Sequence, residues 1–522
     1  MKFQLTKELI NGVTLVRSDE IQAHDEYYGE SGDQHYRLLS YLANQFDSVN
    51  IIEIGTHNGH SALALSANKN NTVYTFDLVD KVANKERLWI NGNVQFSTDN
   101  LMDDTQRESW RKIILESPLI FIDIDPHDGF DEYQFYLWLL NNDYKGILLI
   151  DDIWYFKGMR DNLWYKIPTS VKYDITEVGH WSGTGVVAFS DQKFETLSHI
   201  PVRSSSTSND GKGWTVVTAY FDLTRMPDAS PQIEARDFNH YFSSANMTMA
   251  LDVNLVVYCD SESFQYLRQL RPDYLKDRTQ FIVIEFTDLD IIKDYYAKVL
   301  KLREETGYNA DPRNTASYYL FCMSRYELLQ KTMRTNPFGS THFAWCNICI
   351  ERMNWKNCMY FPQIWKEYRD KFSTCYIDYQ PKSVVDNLPE YYKFGRCSMC
   401  SGFFTGNKHY MSRFCDEIMR AFSYVHENGY GHADEQLFSI VYFKCPEIFD
   451  VYFGDYTEMI VNYSWIHERP LEPVKNLIRN LCASGENRGL LKYACNNWLL
   501  AYSFRCFKAD NAVVDYVKGM GT

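Results

Sequence analysis

Short apolar runs alternate with amphipathic stretches along the first half of the chain, and this alternation predicts most of the fold. Residues 50–54 (NIIEI) are a compact apolar run of strand type, followed by a glycine-containing turn and an Ala/Leu-rich helix from about residue 60. Residues 72–76, 94–96, 119–124 and 146–150 read as further strands, with a helix over 133–140 and a late strand pair over 181–190. Strands alternating with helices build a doubly wound parallel sheet, and such sheets bind ligands at the carboxyl ends of their strands.

The pattern breaks at residues 204–213 (SSSTSNDGKG), which are polar, rich in Ser and Gly, and without apolar period. Beyond this break the alternation restarts. Strands are expected at 215–221, 255–258, 281–286 and 342–350, and helices at about 315–334 and 411–426. A glycine-rich segment lies at 402–406, and the tail after residue 473 reads as mostly helical. The prediction is two α/β domains, residues 1–200 and 214–522, joined by a linker at 201–213.

Composition narrows the classes. Of 522 residues, 45% are apolar and 23% charged, enough for more than one core. Lys and Arg number 53 against 68 Asp and Glu, a net charge of −15, and there is no dense basic run, so no nucleic-acid partner is expected. No window of about 18 apolar residues spans a membrane, and MKFQLTKELI lacks the apolar stretch of a signal peptide, so a soluble, cytoplasmic protein is expected. All 13 cysteines lie at or beyond Cys259, and the odd count favours reduced thiols. Cys346/Cys349 and Cys397/Cys400 have zinc-like spacing, but the first pair sits in an apolar run without knuckle glycines and is read as buried thiols. Aromatics reach 16%, which suits either large cores or stacking platforms.

The turn after the first strand, EIGTHNGHS at 53–61, holds the first chemistry. Gly55 permits a tight turn and Gly59 a close backbone approach, but the spacing is not the G-x-G-x-x-G that suits a pyrophosphate. S-adenosylmethionine (SAM) carries an ammonium, a carboxylate and a sulfonium instead of phosphate. Glu53 would organise the ammonium or the turn, with Thr56, Asn58 and Ser61 alongside. Asp77, ending the second strand, would accept the ribose hydroxyls, and Asp99, after the third, would meet the adenine edge. Asp123 and Asp125 end the fourth strand and Asp151 and Asp152 the fifth. Asp123, Asp151 and Asp152 are expected to converge as oxygen ligands for Mg²⁺ or another divalent metal, which would lower the pKa of a bound hydroxyl. Asp125 is the expected base, with His127 and His180 as rivals; for His180 a structural role is the better reading.

EIGTHNGHS, IDID at 122–125 and IDD at 150–152 resemble the macrocin O-methyltransferase and cephalosporin-hydroxylase-like group of metal-dependent, SAM-using enzymes. The resemblance covers about residues 34–190. It implies a Rossmann-like methyltransferase domain with Asp123, Asp151 and Asp152 as metal ligands and Asp125 as base. Pro126-His127 departs from the group, where Lys or Tyr is often nearby.

Residues 213 to about 470 resemble the HtrL/YibB-type family of glycosyltransferase-like proteins. The matching pieces, in order, are TVVTAYFD (215–222), VYCD (257–260), NPF (336–338), FAW (343–345), GFF (402–404), DEQ (434–436) and GDY (454–456). The resemblance implies a GT-A-like fold with a nucleotide-sugar donor. Asp222 and Asp260 would contact the nucleotide, and Asp434 and Glu435 are candidates for the acceptor base. Asn347 stands where the family usually has Asp, so its amide oxygen is the candidate metal ligand, with His467 as a late one. Asp288-Leu-Asp290 reads literally as D-x-D but is placed as a helix cap. The combined expectation is a bifunctional enzyme that adds a sugar to a glycan or glycolipid and methylates a hydroxyl. The alternatives are a methyltransferase fused to an inactive carbohydrate-binding module, and a small-molecule O-methyltransferase that does not act on sugars.

Overall fold

A computed structural model describes residues 2–463 except 22–23, 197–212, 307–311, 355–360, 367–368, 378–379, 394–397, 432 and 455. The expected linker, apart from its last residue Gly213, the helical tail and His467 lie outside the described residues. The chain divides into two compact units, Met1–Ile200 and Pro201–Thr522. No helix among the described residues is long and apolar enough to cross a membrane.

The strands of the first unit are β1 (Lys2–Leu5), β2 (Asn50–Ile54), β3 (Thr72–Phe76), β4 (Val94–Ser97), β5 (Leu119–Ile122), β6 (Ile147–Ile150), β7 (Lys172–Asp174), β8 (Gly185–Ala188) and β9 (Lys193–Thr196). Its main sheet has the order β4-β3-β2-β5-β6-β8-β7. Neighbours from β4 to β6 are parallel, while β8 runs antiparallel to both β6 and β7. This is a Rossmann-like sheet closed at one edge by a reversed hairpin. β5 and β6 are buried at every position because helices cover both faces. Two details differ from the expected pattern. Residues 181–190 hold only one strand, which pairs back to β7. The amino-terminal strand β1 pairs in parallel with β9 as a separate ribbon, a contact too distant in sequence for periodicity to show.

The second unit contributes β10 (Trp214–Tyr220), β11 (Asn254–Cys259), β12 (Thr279–Val283), β13 (His342–Cys346), β14 (Ser373–Tyr376), β15 (Met399–Asn407) and β16 (Tyr452–Phe453). Their order is β12-β11-β10-β13-β15-β14-β16. β10 to β13 are parallel, and β15 runs antiparallel to β13 and β14. The helices Ala316–Thr335 and Lys408–Glu427 start at Thr315 and Asn407, whose side chains accept the backbone N–H of Tyr318 and Tyr410. They pack on an aromatic core that includes Trp345, Phe404, Phe414 and Phe438. The glycine-rich segment lies inside β15, the longest strand of this sheet.

In the first sheet the strand order reverses between β2 and β5, and the crevice there is where such sheets take ligands. Gly55, at the end of β2, adopts φ +102°, and a Cβ built on it would stand 1.7 Å from the Asp123 carbonyl oxygen. Only glycine meets both conditions. Gly55→Ala is therefore expected to destabilise the first unit by about 3 kcal/mol or more. Thermal unfolding of the variant beside the parent chain measures it, and an unchanged midpoint would refute the close approach.

Candidate functional site

The carboxyl edge of the first sheet opens into a cavity of ≈ 480 Å³ bordered by Gly55, His57, Asp77, Asp99, Asp123, Asp125 and His127. Parallel strands all end on one side, so β2, β3, β4 and β5 deliver these residues to a single crevice. Asp77 accepts the backbone N–H of His57 at 2.8 Å and of Val79 at 3.1 Å. An ionised carboxylate has about four acceptor positions, so Asp77 keeps capacity for a ligand. One oxygen of Asp99 accepts from the Ser97 hydroxyl at 2.9 Å and the Trp110 indole at 2.7 Å. Glu53 does not border the cavity. It is fully buried and accepts from the Thr75 hydroxyl, which also contacts Thr56 at 2.6 Å. Burial pushes its carboxyl up to about 7, against the lowering effect of Ser61 and Thr75. Glu53 and Thr56 thus hold the turn from beneath. Asn58 is exposed, and the carbonyl of Gly59 accepts from the Trp89 indole at 3.0 Å.

Deeper along this edge, the carboxylates expected to form one metal site divide into two groups, each completed by histidine. In the first, Asp123, His127 and Asp152 bring one ligand atom apiece within 4.8 Å of one another. His127 Nδ1 lies 3.3 Å from Asp152 and 3.9 Å from Asp123, its Nε2 lies 3.3 Å from Asp125, and its ring stacks on Phe156 at 4.5 Å. His127 and Asp152 have φ of +57° and +62°, a left-handed backbone that costs non-glycine residues energy and concentrates at functional sites. Desolvation and the neighbouring Asp151 and Asp152 raise the Asp123 carboxyl well above its ordinary range. Desolvation and Asp151 likewise raise Asp152, against Ser182, His127 and His180.

Asp151 belongs to the second group, with His35 and His180. Its Oδ2 lies 3.0 Å from His35 Nδ1 and 3.1 Å from His180 Nδ1. Burial acts to raise the Asp151 carboxyl, but the two imidazoles outweigh it and hold it below the usual range. Sequence reasoning missed His35, which sits before the helix Tyr36–Ala43 in no motif, and read His180 as structural.

In the second unit, the motif acids are engaged within the protein. Asp260 accepts the backbone N–H of Asp222 and of Ser263, both at 2.8 Å, and Asp222 accepts from Thr224. Arg225 bridges the two acids at 3.2 and 3.4 Å. The Asn347 amide oxygen, the candidate for a cation, accepts the Trp345 indole N–H at 2.8 Å. Asp434 is buried in an ion pair with Arg325 at 3.0 Å and accepts from the Tyr326 hydroxyl at 3.2 Å. Glu435 accepts from Ser401 and, at 2.6 Å, from Tyr456. Arg325 lies over the Trp345 ring and borders a small cavity of ≈ 70 Å³ together with Arg236, Tyr241 and Asn347. Cys346 and Cys349 are free thiols, Cys346 buried and Cys349 partly buried. The D-x-D at 288–290 precedes the helix Asp290–Thr306, whose first N–H groups are accepted by Glu327.

Residues 212–463 match the family described as "Bacterial protein of unknown function (HtrL_YibB)", in accord with the resemblance seen in the second half. No curated protein matches the chain. Among solved structures, an SAH-bound methyltransferase of Podospora anserina is 22% identical over 23% of this chain, with a TM-score of 0.19. The match spans 52% of that protein, about half its length. An SAH-bound O-methyltransferase from Bacillus cereus is 21% identical over 29% of this chain and 80% of its own, with a TM-score of 0.23. Mouse xyloside xylosyltransferase 1 is 10% identical over 46% of this chain and 84% of its own, with a TM-score of 0.26. Likenesses of this size carry no functional information about the chain.

Two measurements test these assignments. Glu53 has a folded-state pKa near 7 against an ordinary 4.5, so its neutral form favours folding. That contribution is complete below pH ~4.5 and is lost as pH rises through 7, a change of about 3 kcal/mol. Glu53→Gln should flatten the fall in unfolding free energy of the first unit between pH 5 and 8, and equal slopes would refute the assignment. Asp434→Asn leaves Arg325 buried without its counter-charge, and should lower the stability of the second unit by about 3–5 kcal/mol in denaturant titration. A variant as stable as the parent would return Asp434 to candidacy as a base.

Proposed function

We propose that the first unit is a SAM-dependent O-methyltransferase and the second a nucleotide-sugar glycosyltransferase, so that the chain is a bifunctional enzyme modifying a glycan or glycolipid. The observation that carries the first half is the crevice at the β2/β5 reversal, where a glycine-only turn, Asp77, Asp99 and a cluster of acids and histidines border one cavity. Its size suits a nucleoside-type cofactor. In this reading Asp77 binds the ribose hydroxyls and Asp99 flanks the adenine. The backbone of the turn holds the methionine end, and the methyl group faces Asp123 and Asp125.

The residues present fit a divalent cation. The buried Nδ1 of His127 has no hydrogen-bond partner, and the raised carboxyls of Asp123 and Asp152 mark uncompensated negative charge. Asp123, Asp152 and His127 would hold the ion, which when bound lowers the pKa of a coordinated hydroxyl. Asp125, whose side chain is 90% exposed, takes the hydroxyl proton as the oxygen attacks the methyl carbon and the carbon–sulfur bond breaks. Positioning of the two reactants supplies most of the rate, about 7–11 kcal/mol in well-oriented cases.

For the second unit, support comes from the GT-A-like sheet and the Arg236, Tyr241 and Arg325 lining of its small cavity, cationic and aromatic groups suited to a nucleotide diphosphate. A second reading is an inactive carbohydrate-binding module. It is favoured by Asn347, whose oxygen is turned to Trp345, and by Asp434, held by Arg325. Release of free sugar from UDP-, GDP- or dTDP-sugars with Mn²⁺ separates the two. Turnover supports the transferase, whereas glycan binding without turnover of any donor supports the module.

For the first unit, Asp77→Ala should weaken SAM binding about 10–100-fold by calorimetry, the loss of one charged hydrogen-bonding group. Asp125→Asn should cut methyl transfer by about 10²–10⁴-fold while SAM affinity is unchanged. Failure of the parent chain to bind SAM or SAH would end the methyltransferase reading.

A further inference from the structure

His35, Asp151 and His180 come from three separate places in the first unit: the residue before the helix Tyr36–Ala43, the end of β6, and the loop that leads into β8. Their ligand atoms lie within 4.8 Å of one another. The two Nδ1 atoms stand 3.0 and 3.1 Å from the same Asp151 oxygen. Adjacent ligands of an octahedral ion with bonds of about 2.1 Å are separated by about 3.0 Å. The side chains of His35 and Asp151 are 9% and 2% exposed, and that of His180 is 26% exposed. One side of the group is therefore open.

Hydrogen bonding within the cluster accounts for only part of its geometry: His180 Nδ1 hydrogen-bonds Asp151 Oδ2 at 3.1 Å. His35 Nδ1 approaches Asp151 but makes no hydrogen bond, and Asp151 Oδ1 also lacks a partner although both atoms are buried. Unsatisfied buried polar atoms are rare and call for a ligand or a cost. On the other side, Ser182 Oγ lies 2.7 Å from His180 Nδ1. The Thr184 hydroxyl accepts the His180 backbone N–H at 2.7 Å and fixes that loop.

We infer that His35, Asp151 and His180 form a second metal site, distinct from the Asp123/His127/Asp152 group, which takes a borderline first-row transition ion such as Zn²⁺, Co²⁺ or Fe²⁺. The donor set decides the class. Two imidazoles and one carboxylate suit these ions, whereas Mg²⁺ selects oxygen and keeps its waters. Binding moves the Ser182 hydroxyl off His180 Nδ1 and leaves positions open on the exposed side for water or a substrate oxygen. The inference does not rest on methyl transfer and stands if that activity is absent.

The test uses the full-length chain without a histidine tag. Crystals soaked in Co²⁺ should give an anomalous peak bounded by His35 Nδ1, Asp151 Oδ2 and His180 Nδ1. Calorimetry should show Co²⁺ affinity at this site lowered at least tenfold in His35→Gln and in His180→Gln, unchanged in His127→Gln, and not competed by millimolar Mg²⁺. Far-UV circular dichroism of the metal-free variants controls for folding. If His35→Gln does not fold, the more exposed His180→Gln carries the test. No ion at the triad, an ion only at Asp123/His127/Asp152 or among the cysteine thiols, or affinity untouched by either triad variant would overturn the inference.

Discussion

Glu53, Asp123, Asp125, Asp151 and Asp152 all end at one edge of the first sheet, because parallel strands finish on the same side. Within that edge Gly55 brings β2 against the Asp123 carbonyl, so the acids are crowded rather than spread. Crowded carboxylates out of bulk water repel one another and must be protonated, paired or bound to a cation. The first two outcomes are present, and one group is left uncompensated. Glu53 is pushed toward its neutral form by burial. Asp151 stays charged between two imidazoles. Asp123 and Asp152 face each other with His127 between them and have no full counter-charge. The separation into two histidine-completed groups follows from this electrostatic pressure.

Much of this edge was legible in the sequence because it depends on local order. Strand runs, a glycine turn and acids at strand ends are adjacent in the chain, and the sheet turns adjacency into placement. The division of the acids was not legible. His35 precedes β6 by more than a hundred residues, carries no motif, and reaches Asp151 only through the packing of the helix it introduces. His180 was discounted as a lone histidine, the right default until a second imidazole is found beside the same carboxylate. Strand partners such as β1 with β9 were hidden for the same reason.

In the second unit the helices follow the apolar periodicity closely. The helix expected at 315–334 is Ala316–Thr335, and that at 411–426 is Lys408–Glu427. The strand expected over 342–350 stops at Cys346. There Asn347 turns its oxygen to Trp345 and its backbone N–H to Gly402, leaving the extended line. Residues that recur in a family motif are read first as chemistry, but the same types also make caps and buried pairs. Asp222 and Asp260 close the turn after β10, and Asp434 balances Arg325 in the core. A carboxylate whose oxygens are already taken by backbone N–H groups and a guanidinium has few acceptor positions left for a substrate.

The two units therefore stand differently toward their proposed chemistry. The first has an open crevice, ligand-capable acids and unsatisfied buried nitrogens, all features that a cofactor or ion would complete. The second has its motif acids internally satisfied and a cavity about one seventh the size of the first. A nucleotide sugar would have to enlarge that cavity by moving side chains such as Tyr241. Closure around a ligand is common in transferases, so a small cavity in the free form does not argue against turnover. What weighs more is the Arg325–Asp434 pair. If Arg325 turned to a diphosphate it would strip Asp434 of its partner in a dry core, at a cost of several kcal/mol. A donor in this cavity would therefore draw on Arg236 and leave Arg325 bonded to Asp434.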